Sequence, residues 1–296
     1  MLIDFSVVIP TFRRTDELIE ALASVLSQTG VKLEVTVVDD CPDGSAREPV
    51  ERLQDPRVTY IRNPQPTGGV PSTVRNLAWP KARGEFLHFL DDDDIVPDGL
   101  YAEVKRAFET HPKVGLVFGR IEPFGSCPEP QLRHEQRFFA RAARAARACE
   151  WFGTKLAFAG RTLFDMPVLV CSAGVLRREC VEHVGGFDPE ISMVEDSDLY
   201  ARVMREYGAL FLPRLSLRYR IGRVSMMHSP VRSEADVSRQ RAGRRRMQEK
   251  YRRKHGIFEF YALALFARTM LRMAIFLAEP RRGGGRVSAM LDQAAR

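Results

Sequence analysis

No two of the five cysteines form a Cys-x-x-Cys pair, and their number is odd. A disulfide framework and a cysteine zinc site are therefore not expected. Cys41, Cys127, Cys149, Cys171 and Cys180 read as small buried residues of a protein in a reducing compartment. The first residues, MLIDFSVVIPTF, lack the basic region and cleavage pattern of a secretory signal, so a cytoplasmic location is expected. No long uncharged apolar run occurs. The most apolar segment, 257–278, is interrupted by Glu259, Arg268 and Arg272, leaving charge-free stretches at 260–267 and 273–278 only. A spanning helix needs about 20 mostly apolar residues and is disfavoured by central arginines, so a simple span is not expected. Nor is positive charge spread over the chain. The net charge is +7, but residues 239–254 hold nine Lys/Arg against one Glu, so the remainder is close to neutral. Nucleic acid is not an expected partner, although a local polyanion contact stays open.

What is present is an α/β pattern. The 296 residues suffice for one large α/β domain or two smaller ones. Short apolar strands are expected at 5–10, 33–38, 58–62, 85–90 and 114–121, with helices near 15–26, 73–82 and 97–110 between them. Thr15 reads as a helix cap followed by Asp16 and Glu17 in the first turn. Strand–helix alternation with apolar strands predicts a mostly parallel sheet covered by helices. Residues 125–160 break the rhythm. There Arg133, Arg137, Arg141, Arg144 and Arg147 form a helical stripe, either a solvated face or a contact for phosphate or acidic lipid.

Ligands of open α/β sheets bind beyond the carboxyl ends of the strands. Two acidic clusters fall there, Asp39-Asp40 and Asp91–Asp94. Like charges 4 Å apart cost about 1 kcal/mol in water and about 4 at an effective dielectric near 20, so four consecutive carboxylates call for a counter-charge. A third acidic group, Glu195, Asp196 and Asp198, opens a predicted helix over 199–206.

The segments FSVVIPTFRRTDELIEALASVLSQT, VVDDCPDGS, GGVPSTVRN, GEFLHFLDDDDIVPD and VGGFDPEISMVEDSDLYARV, in this order over roughly residues 4–225, resemble a family 2 glycosyltransferase of the GT-A fold. The resemblance implies a Rossmann-like, mostly parallel sheet flanked by helices. Its nucleotide-sugar half would span about 1–124 and its acceptor half about 125–230, with a basic, amphipathic helical extension at 231–296. It implies an inverting transfer from a UDP- or dTDP-sugar to a hydroxyl of a glycan or lipid-linked acceptor, as in cell-envelope polysaccharide synthesis, aided by Mg²⁺ or Mn²⁺. A hard cation needs one or two carboxylates beside the phosphates, and it stabilises the charge growing on the departing diphosphate. By resemblance Asp93 is the first metal ligand. Asp91 and Asp92 face the metal or the ribose, and Asp94 serves the following helix. Asp40 would meet the base edge, and Pro10, Thr11 and Phe12 border the base pocket, Phe12 either covering the base or packing in the core. Arg75 would lie near the nucleotide, or be a surface helix charge. Asp196 would be the base that takes the acceptor proton, with Glu195 or Asp198 orienting it, and Gly186 in Gly185-Gly186-Phe187 would border the acceptor. The chain departs from the family after the strand LRYR. Many relatives have a histidine there, whereas this chain reads Tyr219-Arg220-Ile221-Gly222, and His228 either replaces it or sits on a surface loop.

Two other readings stand beside this one. A non-catalytic nucleotide-sugar binding or scaffold protein would keep Asp40 and Asp93 but lose the base. A nucleotidyltransferase would carry a Gly-rich basic loop after the first strand, which PTFRRTDE lacks. In the tail, Arg268 and Arg272 share a helix face flanked by basic residues. That suits either a helix lying on an anionic membrane surface or one packed on protein.

Overall fold

The computed structural model describes residues 2–222 and 234–278. Its strands are β1 (Phe5–Thr11), β2 (Leu33–Asp39), β3 (Val58–Arg62), β4 (Phe86–Phe89), β5 (Leu116–Phe124), β6 (Gly174–Arg177) and β7 (Ala209–Arg220). The helices are α1 (Thr15–Leu26), α2 (Arg47–Glu51), α3 (Pro71–Asn76), α4 (Leu100–Thr110), α5 (Glu129–Trp151), α6 (Leu156–Phe164), α7 (Arg178–Val184), α8 (Glu195–Tyr207), α9 (Glu234–His255), α10 (Ile257–Arg268) and α11 (Met270–Leu277). His228, Arg281, Arg282 and the expected boundary near residue 230 lie outside the described residues.

One seven-stranded sheet runs β3-β2-β1-β4-β6-β5-β7. β1 pairs in parallel with β2 and β4, and β2 with β3. Its apolar run Phe5, Val7, Val8 and Ile9 is buried, as a strand covered on both faces requires. From β1 the chain first builds outward through β2 and β3. It then returns to place β4 on the other side of β1, so the strand order reverses there. In open α/β sheets that reversal opens a crevice beyond the strand ends. β6 is antiparallel to both β4 and β5, which makes the sheet mixed, mostly parallel.

Several local expectations need correction. The helix expected at 97–110 begins at Leu100, so Asp94 cannot serve its N-terminus. Thr15 is the first helical residue of α1, not its cap; Arg14 holds the cap position without a side-chain bond. The helix expected at 73–82 divides into α3 and a short 3-10 turn at Trp79–Lys81.

The tail is part of the molecule. α9 crosses the 188–194 loop, where Arg246 and Lys250 pair with Asp188. The first helix of the apolar pair is tied down by Glu259 to Arg205 and the second by Arg272 to Asp165. By length and composition alone the stretch Ile257–Leu277, 21 residues at mean hydropathy 1.6, is apolar enough to cross a membrane. Its two helices break at Thr269, and Leu263, Ala264, Ala267 and Leu271 are buried against the domain.

Candidate active site

At the strand ends the four consecutive aspartates have different partners. Asp92 turns back under β1. Its Oδ2 accepts the Thr11 hydroxyl at 2.8 Å and the Phe12 N–H at 3.3 Å, and its Oδ1 accepts Arg14 Nη1 at 3.2 Å. Asp93 Oδ2 accepts the same Arg14 nitrogen at 2.6 Å. Asp91 Oδ1 accepts Arg75 Nη2 at 2.6 Å. Asp94 is fully buried, and its Oδ1 accepts the Arg220 N–H at 2.9 Å. Burial, with the nearby carboxylates, pushes the Asp94 carboxyl well above the usual range, and pushes Asp92 up to about 7 against the pull of Arg14. The acidic run is thus tolerated by two guanidiniums and by burial that favours a proton on Asp94. Arg14 was not singled out from the sequence, although two arginines directly after β1 face the same strand ends.

β4 and β6 fix the start of this run. His88 Nε2 contacts the Ser172 carbonyl and Nδ1 the Tyr101 hydroxyl, each at 2.8 Å. A carbonyl only accepts, so Nε2 carries the proton and Nδ1 accepts. Burial lowers His88 to about 4, which keeps it neutral. The Ser172 hydroxyl in turn receives the Asp91 N–H at 3.0 Å.

Asp40 lines the cleft, but its carboxylate is already used. Oδ1 accepts Asn63 Nδ2 and the Thr67 N–H, and Oδ2 accepts the Thr67 hydroxyl and the Gly69 N–H, at 2.6 to 2.9 Å. Four donors fill both oxygens. In this arrangement Asp40 shapes the 67–69 loop rather than offering a free acceptor to a base. Phe12 is half-buried on the cleft wall beside Pro10, Thr11 and Gly69, not in the core.

Arg75 is the joint of the site. Its side chain is 2% exposed, so it is not a surface charge, and its Nη1 donates to Glu195 Oε1 at 2.9 Å while Nη2 holds Asp91. The Phe187 ring covers it at 5.4 Å. Asn76 fixes that phenylalanine, donating to its carbonyl at 2.9 Å and accepting its N–H at 3.3 Å. Gly186 adopts φ +68°, and a Cβ there would come within 2.4 Å of the Trp79 ring. The glycine therefore packs the loop that supports Arg75, and it does not line this cleft.

α8 starts at the cleft. Val194 just before it has φ +62°, a strained conformation for a β-branched residue. Glu195 is spent on Arg75. Asp196 is half-buried on the cleft wall, with Oδ1 accepting the Ser197 N–H at 2.6 Å. Burial raises both carboxyls, Glu195 to about 7. Asp198 points elsewhere: it is buried and paired with Arg202 at 2.7 Å, which donates to the carbonyls of Val184 and Gly186.

Asp40, Arg75, Asp91–Asp93, Glu195 and Asp196 share a cleft of about 840 Å³, large for a small-molecule site. Its far wall comes from α5, residues 166–171 and, unexpectedly, Gln240 and Arg244 of the basic tail. Of the arginine stripe on α5, Arg133, Arg137, Arg141 and Arg147 are exposed. Among the described residues, no three His, Cys, Asp or Glu side chains are placed to hold a metal alone. The residues nevertheless fit a cation shared with phosphate. Asp91 and Asp93 line the cleft and each gives one oxygen to an arginine, and carboxylate oxygens are the hard donors that such a cation takes.

Comparison with known proteins agrees with this architecture. The family model "Glycosyl transferase family 2" matches residues 6–185. WcaA of Escherichia coli K12, whose name assigns it to colanic acid biosynthesis as a glycosyl transferase, is 40% identical over 216 residues, 69% of this chain and 67% of that protein. Of two other curated relatives, the match spans only 30% and 62% of the length. Among solved structures, residues 1–349 of TarS from S. aureus, in complex with UDP, superpose with a TM-score of 0.57 at 18% identity, covering 84% of this chain and 73% of that one. The mannosyltransferase PcManGT from Pyrobaculum calidifontis, in complex with GDP-Man and Mn²⁺, gives 0.56 at 20% identity, covering 100% and 80%. At these identities the structures establish the fold.

Proposed function

The chain belongs to glycosyl transferase family 2, and on that premise we propose that it is an inverting, metal-assisted enzyme using a UDP- or dTDP-sugar. The acceptor hydroxyl lies in cell-envelope polysaccharide or lipid-linked glycan, in line with the colanic acid name of the E. coli relative. The observation that carries the reading is the Arg75 bridge between Asp91 and Glu195, which sets the strand-end acids and the α8 acids in one cleft.

The acceptor oxygen attacks the anomeric carbon as its bond to the diphosphate breaks. The bonding electrons leave with the nucleoside diphosphate, and the hydroxyl proton goes to Asp196. Asp196 suits this role because its neighbour Glu195, not it, neutralises Arg75, and its raised proton affinity lets it accept a proton. Mg²⁺ or Mn²⁺ bound by Asp93 and Asp91 would neutralise charge on the diphosphate. Arg14 holds Asp92 and Asp93 together, and Pro10, Thr11, Phe12 and the 67–69 loop enclose the base and ribose. A base edge that reached Asp40 would displace Thr67 or Gly69.

The exposed face of α10 and α11, with Phe258 90%, Leu265 66% and Phe276 71% exposed, supports peripheral attachment at a membrane surface. The buried opposite face and the ion pairs to Arg205 and Asp165 support a segment that lies on the domain. Asp196→Asn tests the base: transfer should fall by about 10²–10⁴ with nucleotide affinity retained. Transfer at the wild-type rate would place the base elsewhere.

A further inference from the structure

The acceptor end holds a cation that the transfer chemistry leaves unused. Arg244 of α9 is half-buried on the cleft wall. Its Nη1 donates to the main-chain carbonyl of Asp165 at 2.8 Å, and among the described residues no carboxylate pairs with it. The Asp165 carboxylate is already engaged by Arg272, at 2.8 and 2.9 Å, and by Arg161. Two guanidiniums thus share the one carboxylate at the end of α6 while a third, Arg244, is left with a main-chain carbonyl, a local excess of positive charge. Burial, with the Asp165 charge opposing, lowers the proton affinity of Arg244. Arg161 Nε nearby is buried without an acceptor. A phosphate in the cleft would supply Arg244 with both counter-charge and acceptors, and a guanidinium fork matches its oxygens.

The surroundings are apolar. Met166, Pro167 and Val168 adjoin Asp165 on the cleft wall, and α5 adds Phe138 and Phe139. Through Arg272 the same Asp165 is tied to α11, whose Met273 and Phe276 are exposed. Asp165 therefore stands between the cleft-lining Arg244 and a helix with an uncovered apolar face.

We propose that Arg244, in the positive field of Arg161 and Arg272, is a phosphate-binding residue for an amphiphilic acceptor. Its phosphate or diphosphate contacts Arg244, its apolar chain follows the α11 face, and its sugar hydroxyl reaches Asp196. The assignment rests on the glycosyl-transfer reading above.

The test uses the full chain, saturated with whichever of UDP, dTDP or GDP raises its melting temperature with Mn²⁺, and titrated with farnesyl diphosphate. Arg244→Gln should weaken farnesyl diphosphate about tenfold or more, Arg244→Lys less, with nucleotide affinity unchanged. Unchanged farnesyl diphosphate affinity in Arg244→Gln overturns the proposal, as does competition with the nucleotide, which would place the probe in the donor site. Inorganic pyrophosphate binding as tightly would mark a free-phosphate site, and farnesol binding as tightly a purely apolar one; either overturns it. Loss of nucleotide binding in both variants would make Arg244 structural. If no nucleotide binds the wild type, the glycosyl-transfer reading fails instead.

Discussion

The two ends of the cleft are held by different kinds of bond. At the donor end, Arg14, Asp40 and Asp91–Asp93 all lie within four residues of the carboxyl ends of β1, β2 and β4. The parallel ladders that pair Thr11 with Asp39 and Val8 with Phe89 place them there. At the acceptor end, the groups come from α3, α6, α8 and α9, elements far apart in sequence. Side-chain ion pairs hold them together: Arg75 with Glu195, and Lys250 with both Asp198 and Asp188. Backbone ladders tolerate distant changes, whereas a chain of buried ion pairs does not. The donor end should therefore survive perturbations that disable the acceptor end.

The largest effect is expected where the two ends meet. Arg75→Met leaves Glu195 buried without its partner and frees Asp91, and breaking a buried pair from one side costs about 3–5 kcal/mol. Chemical denaturation measures it, and a loss below about 1 kcal/mol, the worth of a surface pair, would mean that Arg75 is not the joint.

A smaller effect should separate the ends. At Gly243 of α9, an added Cβ would come within 2.5 Å of the Met193 carbonyl and 3.1 Å of Val194 Cγ2. Gly243→Ala should cost about 1–3 kcal/mol, as overpacking does. It should disturb Val194 and hence Asp196, slowing transfer without changing nucleoside diphosphate affinity. Equal damage to nucleotide binding would show that the ends are not independent.

This contrast also explains what the sequence discloses. That Asp40 and Asp91–Asp93 would gather at the strand ends was readable because each follows an apolar strand, and the strand pattern is local. The place of Asp196 at the start of a helix was readable from the acids that open it. The partners of Arg75 and Asp198 and the place of Arg244 were not, since only the folded chain shows that Arg75 is buried between two acids, that Asp198 turns to Arg202, and that a tail helix reaches the cleft. The fold class was legible; the direction of β6 was not, because its four residues carry no signal of direction, and neither was the division of the helix expected at 73–82.

The smallest effect is in pH. Burial, with Asp196 beside it and Arg75 opposing, raises Glu195 to about 7. Folding takes up a proton there, so this contribution to stability is full at acid pH and is lost as pH rises through about 7. Glu259 behaves in the opposite sense: hydrogen bonds from Arg205 hold it near about 2, so its contribution is present at neutral pH and lost as pH falls through that value. Glu195→Gln should flatten the change of melting temperature between about pH 5 and pH 8, and Glu259→Gln should leave that slope as it is. Equal slopes in Glu195→Gln and wild type would mean that Glu195 stays charged.

The most direct test compares the ends in one measurement, the Mn²⁺-dependent rise in melting temperature with UDP, dTDP or GDP, in Asp93→Ala and in Asp196→Asn. A ligand that binds only the folded state raises its stability, so the rise reports the donor site. The account predicts that Asp93→Ala loses the rise and that Asp196→Asn keeps it in full. A rise that persists in Asp93→Ala, or one lost in Asp196→Asn, would contradict the division of the cleft.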